Sequence, residues 1–160
     1  MNKHTLALLP ARHMNYATIA CEQHKQYFIK KTPIQLVKAA CLDHGATYQG
    51  RRGAAMYHTG FKRKVPIPIS IKREIYTFPT HAPTDFECMW LFPNHIHSVI
   101  NHPTSKKTPT KSIIPFKNGM QIPLDISSYM IHKQMERTSA CRLTYSLPQE
   151  DIASMPSKIK

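Results

Sequence analysis

Apolar residues change their spacing several times along this chain, and each change delimits an element. "TLALL" near the start and "YATIACEQHKQYFIKK" at 16–31 read as short strands, the second folding back near His24 and Lys25. The period then lengthens: Ile34, Leu36, Val37, Ala40 and Cys41 recur at helical spacing within "TPIQLVKAACLDH". Thr32 stands at the N-cap, Pro33 at the first helical position, Gln35 completes a T-x-x-Q capping box, and Gly45 closes the helix. "RRGAAMYHT", between Gly50 and Gly60, reads as a second short helix, although Gly53 costs it about 1 kcal/mol relative to Ala.

After Gly60 the period falls to two. "VPIPISI" places Val65, Ile67, Ile69 and Ile71 on one face and Pro66, Pro68 and Ser70 on the other; prolines at alternate positions confine it to a sheet edge. "EIYTF", "CMWLF" and "HIHSVI" read as further strands. "SIIPFKNGMQIPL" predicts a hairpin with Asn118-Gly119 at its tip. Residues 101–112 form a polar, proline-containing loop. A last helix covers about 128–142, capped by Ser127 or Ser128, with Tyr129, Ile131, Met135 and Cys141 at partly amphipathic spacing. Periodicity is lost after Leu147. The expected fold is therefore α+β, a mostly antiparallel sheet with about three helices in a single domain over 5–147, and a frayed tail over 148–160.

Composition changes the picture in one respect. Lys and Arg number 22 against 9 Asp and Glu, a net charge of +13, which points to a polyanionic partner and says little about fold. The charge is also uneven. "GATYQGRRGAAMYHTGFKRKVPIPIS" at 45–70 holds four of the five glycines and Arg51, Arg52, Lys62, Arg63 and Lys64, with no acid before Glu74. A merely solvated face mixes signs, because like charges repel and opposite pairs add a little stability. The longest N-terminal apolar run, "LALLP", is too short for a signal peptide or a bilayer span, so a cytoplasmic protein with no membrane partner is expected. Cys21, Cys41, Cys88 and Cys141 are widely spaced and never form C-x-x-C, as for reduced, buried thiols.

Several stretches occur in a recognisable order: "TLALLPARH", then "TPIQLVKAAC-x-x-x-G-x-x-Y-x-GRR", then "KVPIPIS…FPTHAPTDFECMWLFPNHI", then "F-x-NG-x-x-IPL". Together they resemble the ComK-type competence transcription factors of Gram-positive bacteria over about residues 5–145. The resemblance implies an activator of genes for DNA uptake that binds paired A/T-rich promoter boxes in double-stranded DNA, largely through the minor groove. It further implies a homo-oligomer (dimer or tetramer), cooperation with RNA polymerase, no cofactor, and control by a proteolytic adaptor. The adaptor expectation is weaker here, because this chain ends in "SMPSKIK" without the aromatic-Pro-basic segment associated with it.

Charge clustering assigns DNA contact to Arg51 and Arg52, flanked by Lys62, Arg63 and Lys64, with Lys72 and Arg73 as outlying members. Arg reaches phosphate oxygens bidentately and Lys as a point charge, and counterion release supplies much of the affinity. A helix opening at "GRR" would also turn its free amides toward a phosphate. The competing chemistry is a metal-dependent hydrolase built on His95 and His97, an H-x-H pair that shares a face if "HIHSVI" is a strand, with Cys88 and His102 nearby. A truncated, inactive relative is the other alternative. Phe78, Phe86, Trp90 and Phe92 read as core, and Asp85 with Glu87 as one strand face. No P-loop, G-x-S-x-G or dinucleotide fingerprint is present, so no enzyme is expected.

Overall fold

The computed structural model describes residues 1–103, 106–147 and 153. Apart from Ala153, the expected frayed tail lies outside the described residues. The chain runs β1 (Thr5–Pro10), β2 (Thr18–Glu22), β3 (Gln26–Ile29), α1 (Pro33–Asp43), α2 (Tyr48–Thr59), β4 (Ile67–Ser70), β5 (Ile75–Pro79) and β6 (Trp90–Leu91). A 3-10 turn at Pro93–His95 follows, then β7 (Ile100–Asn101), β8 (Ser112–Pro115), β9 (Gln121–Leu124) and α3 (Ser128–Ser146). Six strands form one sheet in the order β3-β2-β1-β6-β5-β4, and β7-β8-β9 form a second; the pairs are antiparallel. This is the α+β architecture with three helices that the apolar spacing predicts.

Alternation along the strands sends side chains to two cores. Leu8, Ile67, Ile69 and Trp90 pack under α1 through Val37, Ala40 and Cys41, and against Tyr48 of α2. On the opposite face Leu6, Phe78 and Leu91 meet Ile114, Phe116, Ile122 and Leu124 of the smaller sheet and Ile131 of α3. A third, smaller cluster of Ala55, Val65, Tyr76 and Cys141 ties α2 and α3 to the β4–β5 edge. β4, which keeps only Pro68 and leaves Pro66 before its start, sits at that edge, where a missing amide costs no ladder bond. Its polar-looking face is buried all the same, because helices cover the edge.

The local signals hold in detail at α1. The Thr32 hydroxyl accepts from the Gln35 amide, the Gln35 side chain accepts from the Thr32 amide, and Gly45 takes the left-handed conformation at φ 87°. Gly119 at the β8–β9 tip is left-handed too, at φ 93°.

Three expectations need correction. "HIHSVI" is not a continuous strand: Pro93 starts a 3-10 turn, the Ile96 amide donates to the Pro93 carbonyl, Ile96 makes only an isolated bridge to Phe116, and the ladder with β8 begins at Ile100. "CMWLF" narrows to Trp90–Leu91, inserted between β1 and β5, because residues before it turn back, with the Cys88 amide donating to the Asp85 carbonyl. Asp85 and Glu87 belong to that turn rather than to a strand face; Asp85 caps the Glu87 amide and Glu87 pairs with Arg12 at 3.0 Å.

Candidate nucleic-acid interface

The basic stretch is built around α2 and the loop after it. Thr47 is the N-cap of α2, its hydroxyl accepting from the Gly50 amide at 2.9 Å while its carbonyl accepts from the Arg51 amide. "GRR" therefore lies within the first turn, with the amides of Gly50 and Arg51 already satisfied. The expected anion site at a helix opening on "GRR" is not formed. Gly60 stops the helix in the left-handed region at φ 78°, its amide donating to the Met56 carbonyl. The chain then turns through Phe61, Lys62 and Arg63 to Lys64, itself at a positive φ of 47°, before entering the edge strand.

The structure separates the seven cations assigned from the sequence. Arg51 turns inward: its guanidinium donates to the His44 carbonyl at the end of α1, its Nε is buried without a partner, and its charge reaches Cys41 and Tyr145. Such a contact neutralises an orphan carbonyl at a helix C-terminus and steadies the α1–α2 corner. Arg52 points the other way, toward the loop, and donates to the Lys62 carbonyl at 3.5 Å. Lys62 and Arg63 are exposed and Lys64 half-buried. Lys72 and Arg73 occupy the β4–β5 turn beside Glu74, at the far end of a four-residue strand spanning roughly 13 Å. The cluster is therefore Arg52 with Lys62, Arg63 and Lys64; Arg51 is part of the scaffold, and Lys72 and Arg73 lie apart.

What the sequence reading missed is the opposite wall. An open groove of about 760 Å³ runs between the 60–64 loop and α3, lined by Gly60, Phe61, Lys62, Arg63, Lys64, Met130, Lys133, Gln134 and Arg137. It carries five cationic side chains and no carboxylate. The signal was present in the i, i+3, i+4, i+7 spacing of Met130, Lys133, Gln134 and Arg137, which puts them on one helical face. It was obscured because that face is cationic as well as apolar.

Loop and helix are joined by a polar network. The Gln134 side-chain amide donates to the Lys64 carbonyl at 3.0 Å and to the Pro79 carbonyl at 2.9 Å, and its oxygen accepts from Arg137 at 2.6 Å. Arg137 also donates to the Arg63 carbonyl at 2.7 Å and lies over the Phe61 ring, 4.3 Å from its centroid. Partial burial lowers the Arg137 pKa, but an arginine stays charged at any physiological pH. Among the described residues, none of the groove cations pairs with a carboxylate; Arg12 pairs with Glu87, and the His81 ring bonds Asp125, both away from the groove.

The rival chemistry fares differently. His95 ends the 3-10 turn and its Nε2 donates to the Lys3 carbonyl at 2.6 Å, while the His97 amide bonds the Pro115 carbonyl. Among the described residues no three His, Cys, Asp or Glu side chains gather as metal ligands would. Cys21, Cys41, Cys88 and Cys141 are buried free thiols, and burial raises their pKa values, Cys41 and Cys141 to about 11. Phe78, Trp90 and Phe92 are core, but Phe86 is exposed beneath the Arg12 guanidinium, 4.1 Å from its centroid. No helix among the described residues is long and apolar enough to cross a membrane.

Comparison with known proteins adds the decisive observation: the family described as ComK protein matches residues 1–150. The chain belongs to the ComK family. It is 27% identical over 159 residues to the competence transcription factor of Bacillus subtilis (strain 168), a match covering 91% of this chain and 80% of that protein. No solved structure matches it.

Proposed function

We propose that this ComK-family protein is a transcription factor of competence that binds A/T-rich double-stranded DNA through Arg52, Lys62, Arg63 and Lys64. The observation that carries the reading is the acid-free groove: five cations converge with no carboxylate to neutralise them, on a chain similar to a named competence transcription factor. B-DNA supplies one phosphate charge per strand for about every 3.4 Å of helix axis, and cations held in place gain affinity by releasing the counterions those phosphates condense.

The loop suits a minor groove better than a major one. The minor groove, about 6 Å wide, excludes a helix but admits an extended loop bearing Lys62 and Arg63. Its negative potential deepens where A-tracts narrow it, so a guanidinium there reads width rather than base identity. A homo-oligomer would match paired boxes by symmetry. The test is fluorescence anisotropy on paired A/T-rich boxes and on a G/C duplex of equal length, over a range of salt. With about three phosphates contacted per chain of a dimer, log K should fall with log salt at a slope near −5. Equal affinity for both duplexes would remove the A/T preference, and no salt-dependent binding would remove the reading altogether.

A further inference from the structure

We propose that α3 forms the second wall of the DNA site, with Lys133 contacting the phosphate backbone and Arg137 positioning the basic loop opposite. This rests on the DNA-binding reading above and extends the site to a helix 70 residues further along the chain.

Three observations carry it. First, Lys133 is exposed on the face of α3 that lines the groove, and its sequence neighbours there are Met130, Gln134 and Arg137. Glu136, the one acid in this part of α3, is exposed but is not among the lining residues. Second, the length fits. From Met130 to Arg137 the helix rises about 10 Å, a length of duplex axis over which one strand carries about three phosphate charges. A helix of about 10–12 Å diameter cannot enter a minor groove about 6 Å wide, so α3 stays on the phosphates while the loop reaches inward. Third, Arg137 holds the loop rather than facing solvent freely. It donates to the Arg63 carbonyl and to Gln134 and stacks on Phe61, while Gln134 holds the Lys64 carbonyl, so three of the four loop residues 61–64 are fixed against the helix. A loop anchored this way loses less conformational freedom on binding.

The two roles separate experimentally. Binding to a paired A/T-rich duplex is measured across salt for wild type, Lys133→Ala, Arg137→Lys, a Lys62→Ala/Arg63→Ala double variant, and Lys117→Ala on the β8–β9 turn as a charge-matched control. Thermal melting is followed for each. Lys133→Ala should melt as wild type does, flatten the slope by about 0.9 per bound chain and weaken binding about fivefold per chain at 0.15 M salt. Arg137→Lys keeps the charge but loses the planar fork, so affinity should fall with the slope retained.

Wild-type affinity and slope for Lys133→Ala, alongside a weakened loop double variant, would overturn the α3 wall and leave the DNA reading standing. A slope flattened by Arg137→Lys, or unchanged affinity in that variant, would overturn its positioning role. Wild type that binds no DNA would overturn both readings. A loss in Lys117→Ala as large as in Lys133→Ala would assign the effect to net charge and overturn the proposed contact.

Discussion

Replacing Gln134 by Leu removes the hydrogen-bonding centre that joins α3 to the basic loop while keeping the side chain's size. Gln134 is only 3% exposed, and its amide serves the carbonyls of Lys64 and Pro79 while its oxygen serves Arg137. The Pro79 bond is buried, so that carbonyl would be left without a partner at about 1–3 kcal/mol; the two part-buried partners recover some solvation and add about 1 kcal/mol together. Against this, burying leucine instead of an amide returns roughly 1–2 kcal/mol. The net loss expected is about 2 kcal/mol, out of the 5–15 kcal/mol typical of a domain. Urea unfolding followed by circular dichroism should show a lower midpoint at unchanged slope, and the melting temperature should drop by about 4–8 °C. A variant within 0.5 kcal/mol of wild type would mean that the network contributes nothing net, and the rigid presentation of the loop would lose its physical basis.

Thr32→Ala deletes one arm of the α1 capping box and should destabilise by about 1 kcal/mol in the same urea assay. Gly60→Ala meets no atom within 4 Å, so its cost is that of placing an L-residue at φ 78°, about 1–2 kcal/mol of stability. Arg51→Met should lower stability through loss of the His44 carbonyl contact yet leave the salt slope of DNA binding unchanged, whereas Arg52→Met should flatten that slope. The thiols set the alkaline limit. Burial raises Cys41 and Cys141 from 9.0 to about 11, so the unfolded chain releases these protons first. Their stabilising contribution is complete below about pH 9 and is lost as pH rises toward about 11, at roughly 1 kcal/mol per pH unit for each thiol. Urea midpoints measured from pH 7 to 10.5 should stay level and then fall, and Cys141→Ala should soften the fall.

Elements whose ends are marked by local chemistry were legible in the sequence. The Thr32 capping box, the Gly45 and Gly60 stops and the Asn118-Gly119 tip each act within a few residues, and each appears in the structure. Thr47, the cap of α2, is less legible, because Gly50 and the arginines draw the expected boundary three residues late. "HIHSVI" alternates like a strand, but Pro93 and the bond from the Ile96 amide to the Pro93 carbonyl fix a 3-10 turn first. For the site, sequence gave the composition of one wall and nothing of the other. Arg51 and Arg52 are adjacent in the chain, yet successive helical positions lie 100° apart, so they serve different surfaces. Lys133 and Arg137 join Lys62 and Arg63 only through folding over some 70 residues, and no local pattern encodes that meeting.

The way the arginines are held leaves their charge uncancelled, in the groove at Arg137 and beside it at Arg52. Arg51, Arg52 and Arg137 are each anchored by a backbone carbonyl, and Arg142 by the Asn94 amide oxygen at 2.6 Å; of the arginines with described partners, only Arg12 uses a carboxylate. A carbonyl holds a guanidinium less strongly than a carboxylate does but cancels none of its charge. Carboxylate anchors would have given a more stable free protein, because net charge far from zero strains the compact state through self-repulsion. They would also have to be displaced before any phosphate could bind. Neutral anchors separate the two requirements: geometry is set by hydrogen bonds and by stacking on Phe61, while the positive potential remains for a polyanion to neutralise.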